Sequence, residues 1–198
     1  LMHRNKKIFF LTGDMGINLI EKFEEKFPDR FLNVGIAEQN LIGVSAGLYN
    51  AGYLPFAYAI SNFITQRCLE QIRNDIVLHN YPITLIGTST GFDNAALGPT
   101  HHVVDDWGTL KGLPGLNIYC PNSLEYAKKI IPNIIKNKKP SYIRIPKTSF
   151  EDVITSKDYF YKKGKNKNNL IISYGGTARS CLEINKSNKV SCLLMNKL

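Results

Sequence analysis

Acidic residues are scarce beside basic ones in this 198-residue chain, 16 Asp and Glu against 25 Lys and Arg, which leaves a formal net charge of +9. Such an excess invites a nucleic-acid reading. The lysines, however, gather in Lys128 to Lys147 and Lys162 to Lys167 without the interleaved aromatics of a stacking platform, so they read as a solvated face and a basic connection. A phosphate-bearing ligand or an acidic partner would use the same field. There is no run of about 18 apolar residues to cross a membrane. The opening Leu1-Met2-His3-Arg4-Asn5-Lys6-Lys7 leads straight into a strand-like run, without the apolar stretch of a signal peptide. The expectation is a cytoplasmic globular protein with no membrane contact. The four cysteines, Cys68, Cys120, Cys181 and Cys192, form no C-x-x-C pair and have no histidine at ligand spacing, so neither a disulfide framework nor a zinc site is suggested.

What the chain does have is alternation. Apolar runs of strand length alternate with longer helical patterns, the sign of βα units stacked on a parallel sheet. Strands are expected at Lys7 to Leu11, Arg30 to Val34, Leu54 to Tyr58, Ile83 to Gly87, Asn117 to Cys120 and Ser141 to Ile145. Helices are expected at Ile17 to Phe27, Ala37 to Asn50, Ser61 to about Leu78, Asp105 to Leu113 and Ser123 to Lys136, the last capped by Ser123. The pattern predicts a doubly wound, mostly parallel α/β domain over residues 1–147. A polar, lysine-rich connection follows over 148–169, and 170–198 reads as the start of a second α/β domain, Leu170 to Tyr174, a helix to about Glu183, and Val190 to Met195. Two strands and one helix cannot bury a core, so this part reads as truncated.

Two stretches carry candidate chemistry. In Phe31-Leu32-Asn33-Val34-Gly35-Ile36-Ala37-Glu38-Gln39-Asn40, an apolar run turns at Gly35 into an amphipathic segment, setting Glu38 in a helix's first turn beyond a strand's carboxyl end, the edge where open α/β sheets bind ligands. Taken alone, Glu38 reads first as a carboxylate favoured by the helix dipole. The small residues Gly43, Ala46 and Gly47 on the same helix point either to close approach by another helix or to ordinary packing on the sheet. The second stretch is the long irregular segment Thr88 to Val104, where Gly98-Pro99-Thr100-His101-His102 sets two histidines after a rigid pair.

Asn33-Val34-Gly35-Ile36-Ala37-Glu38-Gln39-Asn40, Pro55-Phe56, Phe63, Glu70-Gln71-Ile72-Arg73 and Gly98-Pro99-Thr100-His101, in that order, resemble the pyrimidine-binding domain of transketolase and its relative 1-deoxy-D-xylulose-5-phosphate synthase. The likeness is greatest to the short C-terminal subunit of split transketolases. It runs from about Lys7 to Pro146, and Leu170 onward resembles the start of the transketolase C-terminal domain. The resemblance implies a thiamine diphosphate-dependent two-carbon transfer between sugar phosphates, with Glu38 and His101 as catalytic residues. Glu38 would address N1′ of the cofactor's aminopyrimidine, and Phe63 would stack on that ring. Asp14 and Met15 match the acidic-hydrophobic pair that props the cofactor. Ile60 stands where the family often has a second aromatic, so one ring face is left without aromatic cover. His101 would face the substrate's oxygens, with His102 as a possible second contact.

Departures accompany the likeness. Leu97 stands where typical transketolases carry an acid that reads a donor hydroxyl, and Ser89 to Ala96 lacks the usual phosphate-contacting histidine. The chain also lacks the Gly-Asp-Gly and downstream Asn that hold Mg²⁺ in the family's other domain; Thr12-Gly13-Asp14-Met15-Gly16 is a superficial look-alike. The resemblance therefore implies an N-terminal, diphosphate-binding partner subunit that supplies the Mg²⁺ ligands, in a dimer or heterotetramer with shared active sites. Its rivals are a deoxyxylulose-phosphate-synthase-like condensation and a non-catalytic assembly subunit.

Overall fold

The structure, a computed structural model, describes residues 1–147, 157–165, 168–187 and 190–198. Six parallel strands, β1 (Ile8–Thr12), β2 (Phe31–Asn33), β3 (Leu54–Ile60), β4 (Thr84–Thr88), β5 (Asn117–Tyr119) and β6 (Ser141–Ile145), form one sheet in the order β2-β1-β3-β4-β6-β5. Between them come α1 (Glu21–Lys26), α2 (Glu38–Asn50), α3 (Ser61–Thr65), α4 (Leu69–Gln71), α5 (Asp106–Lys111) and α6 (Leu124–Asn137). The strand order reverses direction at β1, so a crevice opens at the carboxyl ends of β1, β2 and β3, where such sheets take their ligands.

The core follows from residue type. Leu11, Ala57 and Leu85 on the central strands meet Leu41 and Ile42 of α2 and Ile64, Ile72 and Ile76 beyond β3, all fully buried. Each side chain of that size contributes about 1.5–3 kcal/mol by leaving water. On another part of the sheet, α6 buries Tyr126, Ile130 and Ile134, one stripe at helical spacing. Ser123 caps α6 as expected, its Oγ accepting from the Tyr126 amide at 3.1 Å.

Several expectations need correction. The first helix begins at Glu21 instead of Ile17, and Ile17 is 84% exposed, so its apolar spacing does not build a buried face. The single helix expected over Ser61 to Leu78 breaks after Thr65, resumes at Leu69 and widens into a π-helical stretch over Ile72–Val77, with the Leu78 amide bonding the Arg73 carbonyl five residues back. The connection expected over 148–169 contains a strand, β7 (Tyr159–Lys162); its residues 148–156 and 166–167 lie outside the described residues. β7 pairs antiparallel with β9 (Ser191–Met195), which pairs parallel with β8 (Leu170–Tyr174) ahead of α7 (Ala178–Lys186). This third strand changes the inference that the C-terminal part lacks the means to bury a core. Ala178, Cys181, Cys192 and Leu194 form a small one of their own.

A buried polar network lies beneath the loop that carries the histidines. Arg144 of β6 donates from Nε to both Asp106 oxygens, at 3.2 and 2.9 Å, and from Nη2 to the Val103 carbonyl at 3.0 Å. The Tyr142 hydroxyl stands 2.8 Å from Asp106 Oδ2 and 3.0 Å from Ser61 Oγ. Burial and the neighbouring Asp106 carboxylate push the Tyr142 hydroxyl well above its ordinary range, so it remains a neutral donor. Asp106→Ala would leave the Arg144 charge buried without its partner, a loss of about 3–5 kcal/mol. By contrast, Asp158→Ala removes a single bond from the Tyr126 hydroxyl and should cost about 1 kcal/mol. Urea unfolding of both variants checks the difference; similar midpoints would contradict this account of the network.

Candidate functional site

The residues singled out in the sequence follow the carboxyl ends of four neighbouring strands. Asp14 and Met15 come after β1, Glu38 after β2, Ile60 and Phe63 at the end of β3 and on α3, and His101 and His102 in the loop after β4. Parallel pairing brings these loops to one edge of the sheet.

The turn into α2 is set by Asn33. Its Oδ1 accepts from the amides of Asp14 at 3.0 Å and Gly35 at 2.9 Å, while its Nδ2 donates to Asp14 Oδ1 at 2.9 Å. Asp14 (φ 55°) and Gly35 (φ 77°) both sit in the left-handed region, so the two turns are bent and pinned together. With its carboxylate on Asn33, Asp14 is exposed, whereas Met15 is half-buried against the main core. The fold gives Asn33 a positioning role that the family motif did not single out.

Glu38 opens α2 and is 3% exposed. A Cβ on Gly13 would stand 3.6 Å from Glu38 Cγ, so the first βα turn closes over its stem. Instead of an apolar ring alone, the carboxylate meets a cation. Arg67 Nη1 donates to Glu38 Oε2 at 2.7 Å, and the Arg67 guanidinium carbon lies 4.3 Å from the centre of the Phe63 ring. The other face of the arrangement is His101, edge-on to Phe63 with ring centres 5.1 Å apart. Glu38, Arg67, Phe63 and His101 thus form one connected chain of contacts. Arg67 was not a sequence candidate, because its link to Glu38 spans 29 positions and leaves no local pattern.

The histidine loop is closed at its base by paired backbone bonds between Gly91 and Val103, at 2.8 and 2.9 Å, and tightened by short 3₁₀ turns at Ala95–Leu97 and Pro99–His101. It is docked on α3 by Asn62 Nδ2, which donates to the Thr100 carbonyl at 2.6 Å. Thr100 Oγ1 lies 3.0 Å from His101 Nδ1, which engages one ring nitrogen and leaves Nε2 without a hydrogen bond among the described residues. His102 is placed differently, edge-on to Phe92 at 5.1 Å and with Nε2 3.4 Å from the Ala95 carbonyl. The two adjacent histidines make different contacts. Ile60 is half-buried at the junction of β3 and α3, and Leu97 is 59% exposed. Among the described residues no group of three or more His, Cys, Asp or Glu side chains is placed to hold a metal ion, and no helix is long and apolar enough to cross a membrane.

Comparison with known proteins bears on this geometry. The family model for the transketolase pyrimidine-binding domain matches residues 1–152. An apulose-4-phosphate transketolase subunit from Phocaeicola vulgatus is 31% identical over 166 residues, 83% of this chain and 53% of that protein. The 1-deoxy-D-xylulose-5-phosphate synthase of Desulfotalea psychrophila is 34% identical over 160 residues, 78% of this chain and 24% of that enzyme. A split-gene transketolase, solved as an inactive β4 tetramer, superposes with a TM-score of 0.83 at 27% identity, covering 99% of this chain and 67% of its own. The chain spans about half the length of the apulose-4-phosphate transketolase subunit that it matches.

The site also fixes the state of a thiol. Cys68 is fully buried, its Sγ donating to the Phe63 carbonyl at 3.2 Å. Burial, reinforced by the Glu38 carboxylate against Arg67, pushes it up to about 12, and burial pushes Cys120 up to about 12 as well. Both thiols should resist alkylation at pH 8 in the folded chain and react on unfolding, as a colorimetric thiol assay with and without urea would show. Because the folded form keeps protons that the unfolded form releases above about 9, these two groups should lower stability as pH rises from 9 toward 12.

Proposed function

The chain belongs to the transketolase pyrimidine-binding domain family, and from that membership we propose that it is one subunit of a split, thiamine diphosphate-dependent transketolase whose active sites lie between two chains. The observation that carries the reading is the set formed by a buried carboxylate, an aromatic face and an imidazole at the carboxyl edge of the sheet. That set fits an aminopyrimidine. Glu38 Oε1 makes no hydrogen bond among the described residues, which leaves an oxygen to share a proton with a ring nitrogen, and Phe63 offers a ring for stacking. Asp14 and Met15 on the β1 turn complete the proposed cofactor contacts, with Ile60 beside them. The Mg²⁺ ligands, which are hard oxygen donors, are assigned to the diphosphate-binding partner.

When bound, thiamine diphosphate supplies the nucleophilic carbon through which a two-carbon ketol unit passes from a ketose to an aldose. Glu38 holds the proton at the pyrimidine's N1′. Phe63 fixes the plane of that ring, and the closed turn over Glu38 excludes water from its stem. His101, steadied by Thr100, takes and returns a proton at the sugar oxygens through Nε2. His102, turned onto Phe92, is proposed only as an outlying substrate contact.

Support for a partner comes from two sides. The split-gene relative solved as a β4 assembly is described as inactive. On this chain, Ile17, Leu19, Ile36 and Phe92 are exposed at the carboxyl edge, and a Cβ on Gly43 or Gly47 of α2 would touch nothing within 4 Å. We assign this edge and the small face of α2 to subunit contacts. The exposed Leu97, in place of a hydroxyl-reading acid, favours a less common sugar, in line with the apulose 4-phosphate named for one relative. The deoxyxylulose-phosphate-synthase relative supports a second reading, condensation of pyruvate with glyceraldehyde 3-phosphate.

With its diphosphate-binding partner, the chain should turn over ketose donors and not pyruvate; the reverse preference would favour the second reading. Glu38→Ala should lower turnover of the complex by at least about a hundredfold with an unchanged unfolding midpoint, and turnover near wild type would refute its role. Calorimetry with thiamine diphosphate and Mg²⁺ should give no tight stoichiometric binding to this chain alone.

A further inference from the structure

Arg67 belongs to none of the family motifs noted in the sequence, yet the fold holds it in three ways. Nη1 donates to Glu38 Oε2 at 2.7 Å, the guanidinium lies over Phe63 at 4.3 Å, and its backbone carbonyl accepts from Gln39 Nε2 at 3.1 Å. Gln39 follows Glu38 on α2, so both the backbone and the side chain of Arg67 are tied to the first turn of that helix. The residue lies in the break between α3 and α4, where the chain leaves regular helix and so lets the side chain turn back toward α2.

A carboxylate presents two near-equivalent oxygens, and a side chain with a free carboxylate can rotate either toward a ligand. Here Oε2 is taken by a charge-assisted bond and Oε1 is not bonded by any described residue. The same guanidinium lies on the Phe63 ring, so one planar cation sets both the carboxylate and the aromatic that the proposed cofactor would meet. Arg67 is half exposed, its side chain at 45%, whereas Glu38 is buried at 4%; surface screening therefore weakens the pair as a source of stability. Its effect is geometric.

We propose that Arg67 is a positioning residue for the transfer reaction. By occupying Oε2 and resting on Phe63, it selects Oε1 as the oxygen presented to the pyrimidine ring and holds the stacking ring square to it. This rests on the function proposed above. The geometry asks for a flat group with one donor at the carboxylate and a face on the ring, so lysine supplies the charge without the plane.

The test uses the chain assembled with its diphosphate-binding partner, comparing wild type with Arg67→Lys and Arg67→Ala. Arg67→Ala should lower kcat about tenfold to a hundredfold, the scale set by misplacing a catalytic group by about 1 Å. Cofactor affinity by calorimetry should change by less than about threefold, and the unfolding midpoint should hold. Millimolar methylguanidine should restore part of the lost kcat in Arg67→Ala, and Arg67→Lys should fall between the two. An Arg67→Ala complex that binds thiamine diphosphate tenfold tighter at undiminished kcat would overturn the proposal, because the guanidinium would then only occupy the pyrimidine's place. Loss of kcat with a fallen midpoint and no rescue would overturn it too, by showing a structural role. A wild-type complex without cofactor-dependent turnover removes the underlying function instead, and that outcome is read before any variant is compared.

Discussion

Placing a charged pair beneath this edge of the sheet costs desolvation, and Asp106 with Arg144 offset it through their mutual bonds and those to the Tyr142 hydroxyl and the Val103 carbonyl. The rest of the edge depends on that pair. Asp106 comes from α5, Arg144 from β6, the Val103 carbonyl from the end of the histidine loop, and Ser61, through Tyr142, from the start of α3. The helix that presents Phe63 and the loop that presents His101 are thus tied to one buried ion. Gly87 shows how tight the packing is. A Cβ there would come within 2.5 Å of Ser61 Oγ and 2.7 Å of the Tyr142 hydroxyl, so the strand beneath has room only for glycine.

Above this rigid layer the candidate site is made of short tethers. Asn33 pins two left-handed turns, Asn62 docks the loop, and Thr100 steadies the imidazole, each through hydrogen bonds of 2.6 to 3.0 Å. Asn33 reaches across to the neighbouring β1 turn, Asn62 reaches from α3 to the loop, and Thr100 acts on the next residue. A site built this way keeps its geometry through local bonds, while its stability comes from the apolar layer below.

Much of the fold was legible because its signals are local. β6, set between Pro140 and Pro146, and β8, set between Asn169 and Gly175, fall on the residues expected, and Ser123 caps its helix as a serine at that position should. Glu38 at the start of a helix was legible from Gly35 and the change of period. What escaped was non-local or compensated. Arg67 was hidden because Arg67-Cys68-Leu69 continues a helical pattern while its side chain is spent on α2. β7 was hidden because Tyr159, Tyr161 and Lys162 are exposed on an edge strand, so the run shows no buried face. The different contacts of His101 and His102 depend on Phe63 and Phe92, far apart in the sequence.

The π-helical stretch at Ile72–Val77 gives this edge a mechanical character. A π turn accommodates an extra residue without breaking the helix, and it shifts the angular phase between the residues on its two sides. Ile72 and Ile76, both inside the stretch, are locked in the core, so the offset is held by packing. The stretch works as a fixed phase offset between the residues before it and those after it. A one-residue deletion there would return the backbone to the ordinary α-helical period and change the phase between the residues before it and those after it.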